Sequence, residues 1–363
     1  MRILNRYVIR QASVATVYAL VALLSLYLFF DIMSEISDVG EGGYTATKMT
    51  QYVLMLLPAH AYELMPLAVL VGGLIALSQM AANSELTVIK TSGISLASIM
   101  TMLLQFGAIF ALLTVLLGEW IVPTVGQQAE RFKLNATENS ISAGGNSGIW
   151  IKQDNDIINV AEMLPDGSLH GITIYRHNPA FQLTSTLHAA SAKVDPHVTA
   201  DAPAVWHLHN VVATELHAQN TTVHQKAQQD WPVAINQQLL NVLLVEPEQM
   251  SVWALHTYVQ HLKENHQQTT RYELAWWRKL AYPLACLVMA LVALAFTPQQ
   301  SRHGNMGLKL FFGICLGLAF HFAGRLFGFT SQLYGVPTWL SAFLPTLLFL
   351  LLAIYLIRRQ EKR

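Results

Sequence analysis

Two pairs of side chains have the types and the spacing that metal binding requires. His207 and His209 stand two residues apart in a β-prone segment, so both imidazoles would face the same side of a strand. His60 and Glu63 stand three residues apart in an apolar run and would share one face of a helix. The first pair lacks a third ligand at a suitable spacing, and its alternative is a polar strand face. The alternative for the second pair is hydrogen bonding near a membrane interface, and we predict no metal site at either.

The chain carries none of the catalytic motifs that a short pattern can reveal. No glycine precedes a lysine anywhere, which excludes the phosphate-binding loop of an ATPase. The zinc-protease pattern H-E-x-x-H and the nucleophile elbow G-x-S-x-G are missing as well. We therefore predict that the chain is not an enzyme, has no catalytic residue and binds no cofactor of its own. Basic and acidic residues number 22 each, so the charge does not favour a nucleic acid ligand.

Basic side chains flank several apolar runs at positions where they could bind an anionic lipid. Guanidinium and ammonium groups form short, charge-assisted hydrogen bonds with phosphate. The alternative is that these cations, Lys279 among them, pair with the carboxylates of Glu119, Glu130 and Glu273. The residues that we predict to bind lipid are Arg131, Lys133, Arg271, Arg278 and Arg325.

The elements that must position these residues are membrane helices. Hydrophobic residues make up 53% of the 363-residue chain and charged residues only 12%, against about 25% in average soluble domains. The deficit lies in long uncharged runs, and about 20 apolar residues cross a bilayer as a helix. Six spans are predicted, at residues 14–30, 57–82, 97–122, 280–297, 306–329 and 337–357.

The basic residues of short flanking segments predict the orientation of the spans. Cytoplasmic segments are enriched in lysine and arginine. The amino-terminal tail carries Arg2, Arg6 and Arg10 without an acidic residue, and the carboxyl-terminal tail is basic as well. The first connection, residues 31–51, is acidic apart from one lysine. We therefore expect both termini in the cytoplasm and the segment between the third and fourth spans outside it.

The segment between the third and fourth spans has the pattern of a β domain. Its short β-prone runs are separated by turn residues, a spacing typical of an all-β sandwich or jelly roll. The predicted strands lie at residues 149–151, 157–161, 171–175, 181–187 and 206–212.

An amphipathic helix is predicted where this domain returns to the membrane. Ser251 is a favourable N-cap, and apolar residues follow it at helical spacing, namely Val252, Leu255, Tyr258, Val259 and Leu262. The predicted fold class is an α-helical polytopic membrane protein with an inserted all-β, jelly-roll-like domain. The chain divides into residues 1–123 with three spans, residues 124–275 with the β domain and its helix, and residues 276–363 with three spans.

A short amphipathic helix is predicted between the second and third spans, in the connection at residues 83–93. Ser84 can cap it, and Glu85 lies in its first turn, where a carboxylate interacts favourably with the helix dipole. A helix there could bind an ATPase subunit, and the alternative of an ordinary interfacial loop stays open. The candidate coupling residues are Ser84, Glu85, Leu86, Val88 and Ile89.

The fifth span carries a stripe of small residues. Glycines four and seven residues apart lie on one side of a helix, and small residues let a second helix come close. Two interpretations stay open, a seam that opens and closes as a gate, and static packing. The candidate gate residues are Gly313, Gly317, His321, Gly324 and Gly328.

Six stretches of the sequence are specific in combination. They are RYVIRQ at residues 6–11, SELTVIKTSG at 84–93, GEWIVP at 118–123, RYELAWWRK at 271–279, NMGLKLFFGICLG at 305–317 and LYGVP at 333–337. Together they resemble the LptF/LptG family, the permease subunits of the lipopolysaccharide export transporter. The resemblance covers essentially the whole chain, and the SELTVIKTSG loop is its most specific part.

The resemblance implies a function and a set of partners. The chain would be one permease of an ABC transporter in the bacterial inner membrane, which takes lipopolysaccharide from the outer leaflet and passes it to a periplasmic bridge. The implied partners are a paralogous LptF-like permease, a cytoplasmic LptB-like ATPase dimer that binds the ATP, a single-span LptC-like protein and an LptA-like bridge protein. Spans one and five would form the lateral gates, and Glu85 falls at the position that contacts the ATPase. The sequence departs from the family pattern after the first span, where family members can carry lysines. This chain has acidic residues there, namely Asp31, Glu35 and Asp38.

Two other classes of protein are considered. A membrane-anchored sensor or scaffold would bind a partner through its outer domain, but six spans with a glycine stripe exceed what an anchor needs. An intramembrane enzyme is disfavoured by the missing motifs. Copurification of an ATPase would separate the transporter from both.

Overall fold

The computed structural model describes residues 2–40, 43–137, 149–153, 155–163, 168–194, 204–216, 220–233, 247–264, 267–297 and 306–361. Six helices within these ranges are long and apolar enough to cross a membrane. The prediction of six spans with a β domain after the third is confirmed. Below, the sheet end of the bundle is the end from which the β domain extends, and the tail end is the opposite end, where α1 begins and the last helix ends.

Several helices are longer than the apolar runs that predict them. The third span consists of α4 and α5 joined by a π-helical turn at Leu117–Ile121, and it runs on to Thr137. The fourth span begins at Thr270, ten residues before its predicted start at 280. Polar residues prolong these helices because a helix satisfies its backbone hydrogen bonds whatever its side chains. The helices in the described ranges are α1 (Arg2–Glu35), α2 (Ala46–Ala82), α3 (Glu85–Thr91), α4 (Leu96–Leu116), α5 (Val122–Thr137), α6 (Val252–Glu264), α7 (Thr270–Ala295), α8 (Met306–Tyr334) and α9 (Thr338–Glu361).

The helices α2 and α7 lie at the centre of the bundle. In the most apolar window of α2, 78% of the residues are buried, against 11% in α1. Leu70, Phe106 and Met289 are fully buried in one hydrophobic cluster, which also receives residues of α1 and α9. The outer helices α1 and α8 therefore keep most of their apolar surface for lipid or for another chain.

The helices α1 and α2 touch at a contact that requires glycine. A Cβ at Gly72 would overlap the backbone and the hydroxyl of Thr16 on α1. Thr16 is fully buried there, and its hydroxyl donates to the Ala12 carbonyl at 2.8 Å. Because this bond stays within α1, the hydroxyl needs no partner on α2 and the two helices can come together.

The β domain is a six-stranded antiparallel sheet in which each strand pairs with its neighbours in sequence. Each of the five predicted runs overlaps one strand. The sixth strand, Thr221–Val233, was not predicted, because glutamine, histidine and lysine interrupt its apolar alternation. Among the described strands the order is a meander, without the crossover of a Greek key. The strands are β1 (Ile149–Gln153), β2 (Asp156–Met163), β3 (Leu169–His177), β4 (Leu183–Val194), β5 (Ala204–Leu216) and β6 (Thr221–Val233).

One face of the sheet is apolar and buried. Ile172 and Ile174 of β3 are at most 1% exposed, and their cross-strand neighbours Ala189 and Leu187 on β4 are buried with them. Trp206 continues this face on β5 with no exposed surface. The pairing of the strands follows from this face, because a shift by one residue would turn these side chains to solvent.

The predicted amphipathic helix is α6, and it binds the start of the fourth span. The Ser251 hydroxyl accepts the amide of Ala254 at 3.1 Å, as expected of an N-cap. Leu255 and Leu262 are buried in a cluster that contains Ala275 of α7. Burial also lowers the pKa of His261 on α6, which keeps that imidazole neutral near pH 7.

We predict that Gly72→Ala lowers the stability of the detergent-solubilised protein by roughly 1–3 kcal/mol, the usual cost of overpacking a close contact. The added methyl group would push α1 away from α2 at Thr16. Gly307→Ala is the control, because a Cβ at Gly307 meets nothing within 4 Å. Equal melting temperatures for the two variants would contradict the close contact.

Candidate functional site

A cavity of about 710 Å³ opens between α2, α7, α8 and α9 towards the sheet end of the bundle. Four basic side chains and the two carboxylates of Glu63 and Glu248 line it, which leaves an excess of two positive charges. A concave wall with such an excess attracts an anion. The cavity brings together three of the five residues predicted to bind lipid. Its basic residues are Arg271, Arg278, Lys279 and Arg325.

Arg278 is fixed against α8 by the glycines of the fifth span. Its Nη2 donates to the Gly324 carbonyl at 2.7 Å. A Cβ at Gly328 would overlap the same guanidinium, so the missing side chain makes the space that Arg278 occupies. Glu248 lies 3.9 Å from its Nη1. Arg278 therefore presents a fixed charge to the cavity.

Arg325 has a weaker hold within the protein. Its Nη2 is 3.4 Å from Glu63 Oε1, and 62% of its side chain is exposed. The Nε2 atom of His321, a predicted gate residue, is also 3.4 Å from that oxygen. One carboxylate oxygen thus serves two partners at long range, and a phosphate in the cavity could take over Arg325.

His60 and Glu63 on α2 do not point towards a common metal site. His60 Nε2 lies 2.8 Å from Asp31 Oδ2 on α1, whereas Glu63 faces α8. The two residues therefore connect α2 to the helices on either side of it. No group of three metal-ligating side chains occurs in the described part of the chain.

His207 and His209 each bind a neighbouring strand of the sheet. His207 Nδ1 lies 2.7 Å from Asp230 Oδ1, and His209 Nδ1 lies 3.1 Å from the Gln228 amide nitrogen. Both partners are on β6. These contacts are those of a polar strand face.

Lys133 lies outside the cavity and is paired with acidic residues. Its Nζ is 2.8 Å from Glu35, the last residue of α1, and 3.0 Å from Asp38 in the 3-10 turn that follows α1. The Tyr44 hydroxyl donates to Glu35 at 3.1 Å, and burial together with this carboxylate raises the pKa of Tyr44. The acidic residues after the first span thus hold Lys133. This geometry favours the ion-pairing interpretation, although the partners are not the three glutamates that the sequence suggested.

The predicted lipid-binding residues therefore fall into two groups. Arg271, Arg278 and Arg325 line the cavity, while Arg131 and Lys133 lie on α5. Arg131 is exposed. Lipid binding by either group stays a prediction, and the cavity group has the geometry that favours it.

The candidate coupling residues lie on two faces of α3 at the tail end. Leu86 and Ile89 pack against the hydrophobic core of the bundle, whereas Val88 is 61% exposed. The face that carries Val88 is therefore the one that a partner could cover. The role of this face in coupling stays a prediction.

Ser84 does not have the backbone of an N-cap. Its φ is 61°, in the left-handed region, whereas N-cap residues are extended. The Ser84 carbonyl accepts the amide of Val88 at 3.1 Å. The expectation that Ser84 caps the helix in the usual way is thus corrected, and the side chain of Asn83 binds Glu85 Oε1 at 3.2 Å.

Glu85 also binds the first span. The Tyr7 hydroxyl donates to Glu85 Oε2 at 2.9 Å and joins α3 to α1. The two residues are 78 positions apart. No pattern in the sequence indicated this contact, because Tyr7 lies among the polar residues that precede the first apolar run.

The glycine stripe of α8 is mainly a packing surface against α2. A Cβ at Gly313 would overlap Leu74, and one at Gly317 would overlap Leu67. A Cβ at Gly324 would meet nothing within 4 Å. The structure therefore favours static packing for the first two positions, and gating stays a prediction for the stripe as a whole.

Two further residues, Lys279 and Glu119, make contacts that the sequence did not predict. The sequence analysis identified them only as charged residues that flank the apolar runs. Lys279 is 7% exposed, and its Nζ donates to the Gly118 carbonyl at 2.6 Å. Glu119 accepts the amide of Val252, the first residue of α6, at 2.9 Å. The only signal for them was their place in the GEWIVP and RYELAWWRK stretches.

Fold and site together define a polytopic membrane protein with six spans, four of which line a basic cavity, and with a β domain after the third span. Residues 6–359 match the model of the family described as lipopolysaccharide export system permease LptF/LptG, and the chain belongs to this family. The resemblance that the sequence motifs indicated is confirmed.

The similar proteins include relatives from two species that bear the name lipopolysaccharide export system permease protein LptG. The chain is 30% identical over 360 residues to the one from Escherichia coli (strain K12), with 99% of each chain covered. It is 27% identical over 362 residues to the one from Haemophilus influenzae, again with 99% of each chain covered. The similarity therefore extends over the spans and the β domain alike.

Gly317→Leu is expected to lower the yield of folded protein, because the new side chain would collide with Leu67 of α2 at a typical cost of roughly 1–3 kcal/mol. Gly324→Leu is the matched control on the same helix, because its Cβ position is open. Size-exclusion chromatography of the detergent extracts measures the yield. Equal yields would exclude packing as the role of Gly317 and favour the gate.

Proposed function

We propose that this chain is an LptG-type permease subunit of an ABC transporter that extracts lipopolysaccharide from the outer leaflet of the inner membrane and passes it to a periplasmic bridge. The observation that carries the proposal is the basic cavity between four spans of a lipopolysaccharide export permease family member. Lipopolysaccharide is an amphiphile with phosphate groups. Its head group would contact the cations of the cavity, and its acyl chains would contact the apolar surfaces of the spans.

The orientation follows from charge. Both tails are basic, so the tail end faces the cytoplasm and the sheet end, with the cavity and the β domain, faces the periplasm. With this orientation the cavity lies at the level of the outer leaflet. The β domain then lies on the side to which the lipid must travel.

The cations of the cavity have different roles in this proposal. Arg278 is held by the Gly324 carbonyl and supplies a fixed positive charge. Arg271 and Arg325 are exposed and can turn towards a phosphate. Charge-assisted contacts of this kind contribute about 1.5–3 kcal/mol each when water is excluded.

The energy for transport comes from a separate ATPase subunit, because this chain has no phosphate-binding loop. The short helix α3 lies at the cytoplasmic end in the proposed orientation, with Val88 exposed. Glu85 in its first turn offers a carboxylate to a basic residue of the ATPase. The bond from Tyr7 to Glu85 would carry a movement of α3 to the first span.

The exposed outer helices leave room for further membrane partners. Tyr18 of α1 is 73% exposed, and Phe322 and Leu333 of α8 are 66% and 76% exposed. A paralogous LptF-like permease and a single-span LptC-like protein would cover such surfaces within the membrane. The LptA-like bridge protein would receive the lipid from the β domain. A sensor or scaffold would need no cavity between its spans.

The transport function is tested with the reconstituted complex. The chain is copurified with its ATPase and the paralogous permease, and ATP hydrolysis is measured with and without lipopolysaccharide. Stimulation by the lipid, together with transfer of the lipid to the bridge protein, supports the proposal. A complex that forms but neither responds to lipopolysaccharide nor releases it would refute it.

Replacing both Arg271 and Arg325 by alanine is expected to weaken lipopolysaccharide binding by about tenfold or more, since two charge-assisted contacts are lost. The matched control replaces Lys193 and Lys226, two exposed cations of the sheet. Native mass spectrometry of the purified complexes quantifies the bound lipid. Equal occupancy in both double variants would show that the cavity is not the phosphate site.

Glu85→Lys is expected to dissociate the ATPase or to abolish lipid-stimulated hydrolysis, because a like charge would face the basic partner. Glu264→Lys, on the exposed end of α6, makes the same charge change far from α3. Both variants should fold, as judged by size-exclusion chromatography of the isolated permease. Normal lipid-stimulated ATP hydrolysis by the Glu85→Lys complex would contradict the coupling role of Glu85.

A further inference from the structure

The third span contains a π-helical turn just before it leaves the bundle. It covers Leu117–Ile121, and the amide of Val122 bonds the Leu117 carbonyl five residues back. Such turns interrupt the regular hydrogen bonding of a helix and occur often at functional sites. None of the residue roles proposed above involves this turn.

A buried cation from the fourth span holds this turn. The Nζ of Lys279 donates to the Gly118 carbonyl at 2.6 Å and lies 5.5 Å from the centre of the Tyr62 ring. A Cβ at Gly118 would collide with Tyr62, so only glycine lets the three residues meet. Lys279 is 7% exposed, and a buried ammonium is kept only where such contacts replace its water.

The next residue of the turn binds the chain that returns from the β domain. Glu119 Oε2 accepts the amide of Val252 at 2.9 Å, so a carboxylate sits at the amino terminus of α6. A carboxylate there interacts favourably with the helix dipole and with an unpaired amide. The described contacts of the Glu119 side chain thus join the third span to α6.

The residues before α6 reinforce this connection. The Gln249 side chain lies directly against Gly126 of α5, and Glu248 is 3.9 Å from Arg278 of α7. The chain leaves for the sheet through α5 and comes back through residues 247–264. Both connections of the β domain are therefore joined to each other, and to α7, beside the π turn.

We propose that Glu119 and Lys279 are positioning residues that fasten both connections of the β domain to the π turn. These contacts hold the ends of the two connections that lie nearest the six spans. A movement of the third and fourth spans then moves both of these ends together. The part of this inference that concerns lipid transfer rests on the proposed function, whereas the fastening itself does not.

The fastening is tested by hydrogen–deuterium exchange on the full-length purified chain. In Glu119→Ala the amides in the first turn of α6 should exchange roughly tenfold faster, as expected for the loss of one charge-assisted hydrogen bond. Glu119→Gln keeps an acceptor oxygen and should show a smaller increase. The β3 and β4 amides should stay unchanged in both. Glu264→Ala, at the other end of α6, is the matched control.

Lys279→Met keeps the apolar stem and removes the ammonium, and it should also loosen the first turn of α6 through the π turn. If Lys279→Met does not fold, the exchange rates of the two Glu119 variants alone test the fastening. Exchange that equals wild type in Glu119→Ala overturns the fastening. Faster exchange throughout the sheet would mean general destabilisation and would overturn it as well.

The transmission is tested by counting lipid molecules delivered per ATP hydrolysed. Glu119→Ala should keep basal ATP hydrolysis and deliver severalfold less lipid per ATP, with partial rescue in Glu119→Gln. Unchanged delivery per ATP, despite faster exchange in α6, would overturn the role in transport. A wild-type complex that lipopolysaccharide does not stimulate would refute the proposed function, and the exchange measurements would still decide the fastening.

Discussion

Ionisable side chains within a membrane bundle need partners in the protein, because hydrocarbon supplies neither water nor counter-ions. Near the sheet end these partners come from different helices. Asp31 of α1 meets His60 of α2, and Glu63 of α2 meets Arg325 of α8. Because α2 provides a partner to each outer helix, its position determines where α1 and α8 lie. The close contact of α2 with α1 at Gly72 has the same effect deeper in the bundle.

The cavity is a consequence of the same constraint. Arg278 and Lys279 satisfy their charges with backbone carbonyls, which are dipoles and leave the net charge in place. Among the described residues, the contact of Arg325 with a carboxylate is the shared one to Glu63 at 3.4 Å. A wall of cations that lack full counter-charges is stable only beside water or an anion. The residues that hold the helices together therefore also leave positive charge that the phosphate of a lipid can balance.

The sequence predicted the elements better than the contacts between them. The six spans and α6 followed from long apolar runs and from the periodic residues after Ser251, because burial in lipid or against a helix leaves a pattern in a single segment. β6 did not follow, because glutamine, histidine and lysine interrupt its apolar alternation and most of its side chains are exposed. The helix extensions to Thr137 and from Thr270 were missed for a similar reason, since they are polar.

The site was predictable in composition and not in arrangement. The sequence identified cations that flank the apolar runs, and three of the five predicted lipid-binding residues meet in one cavity. Lys133 was grouped with them, yet it pairs with Glu35 and Asp38 about 100 residues away in sequence, a contact that depends on how α1 ends beside α5. Gly317 and Gly324 looked equivalent by spacing, but the first faces Leu67 and the second faces open space. Such differences depend on the neighbouring helix, which the local pattern does not contain.

The nearest-neighbour order of the sheet has a consequence for biogenesis. Each strand from β2 to β6 finds a partner in the strand made just before it, so the contacts are short in sequence and the entropy of loop closure is small. In the proposed orientation, the sheet can therefore assemble in the periplasm while the ribosome is still making the last three spans. In the described part of the inserted segment, α6 must wait for the fourth span to insert, because its apolar face is covered by α7. Insertion of that span would then be the event that completes the soluble domain, before the fifth and sixth spans complete the membrane bundle.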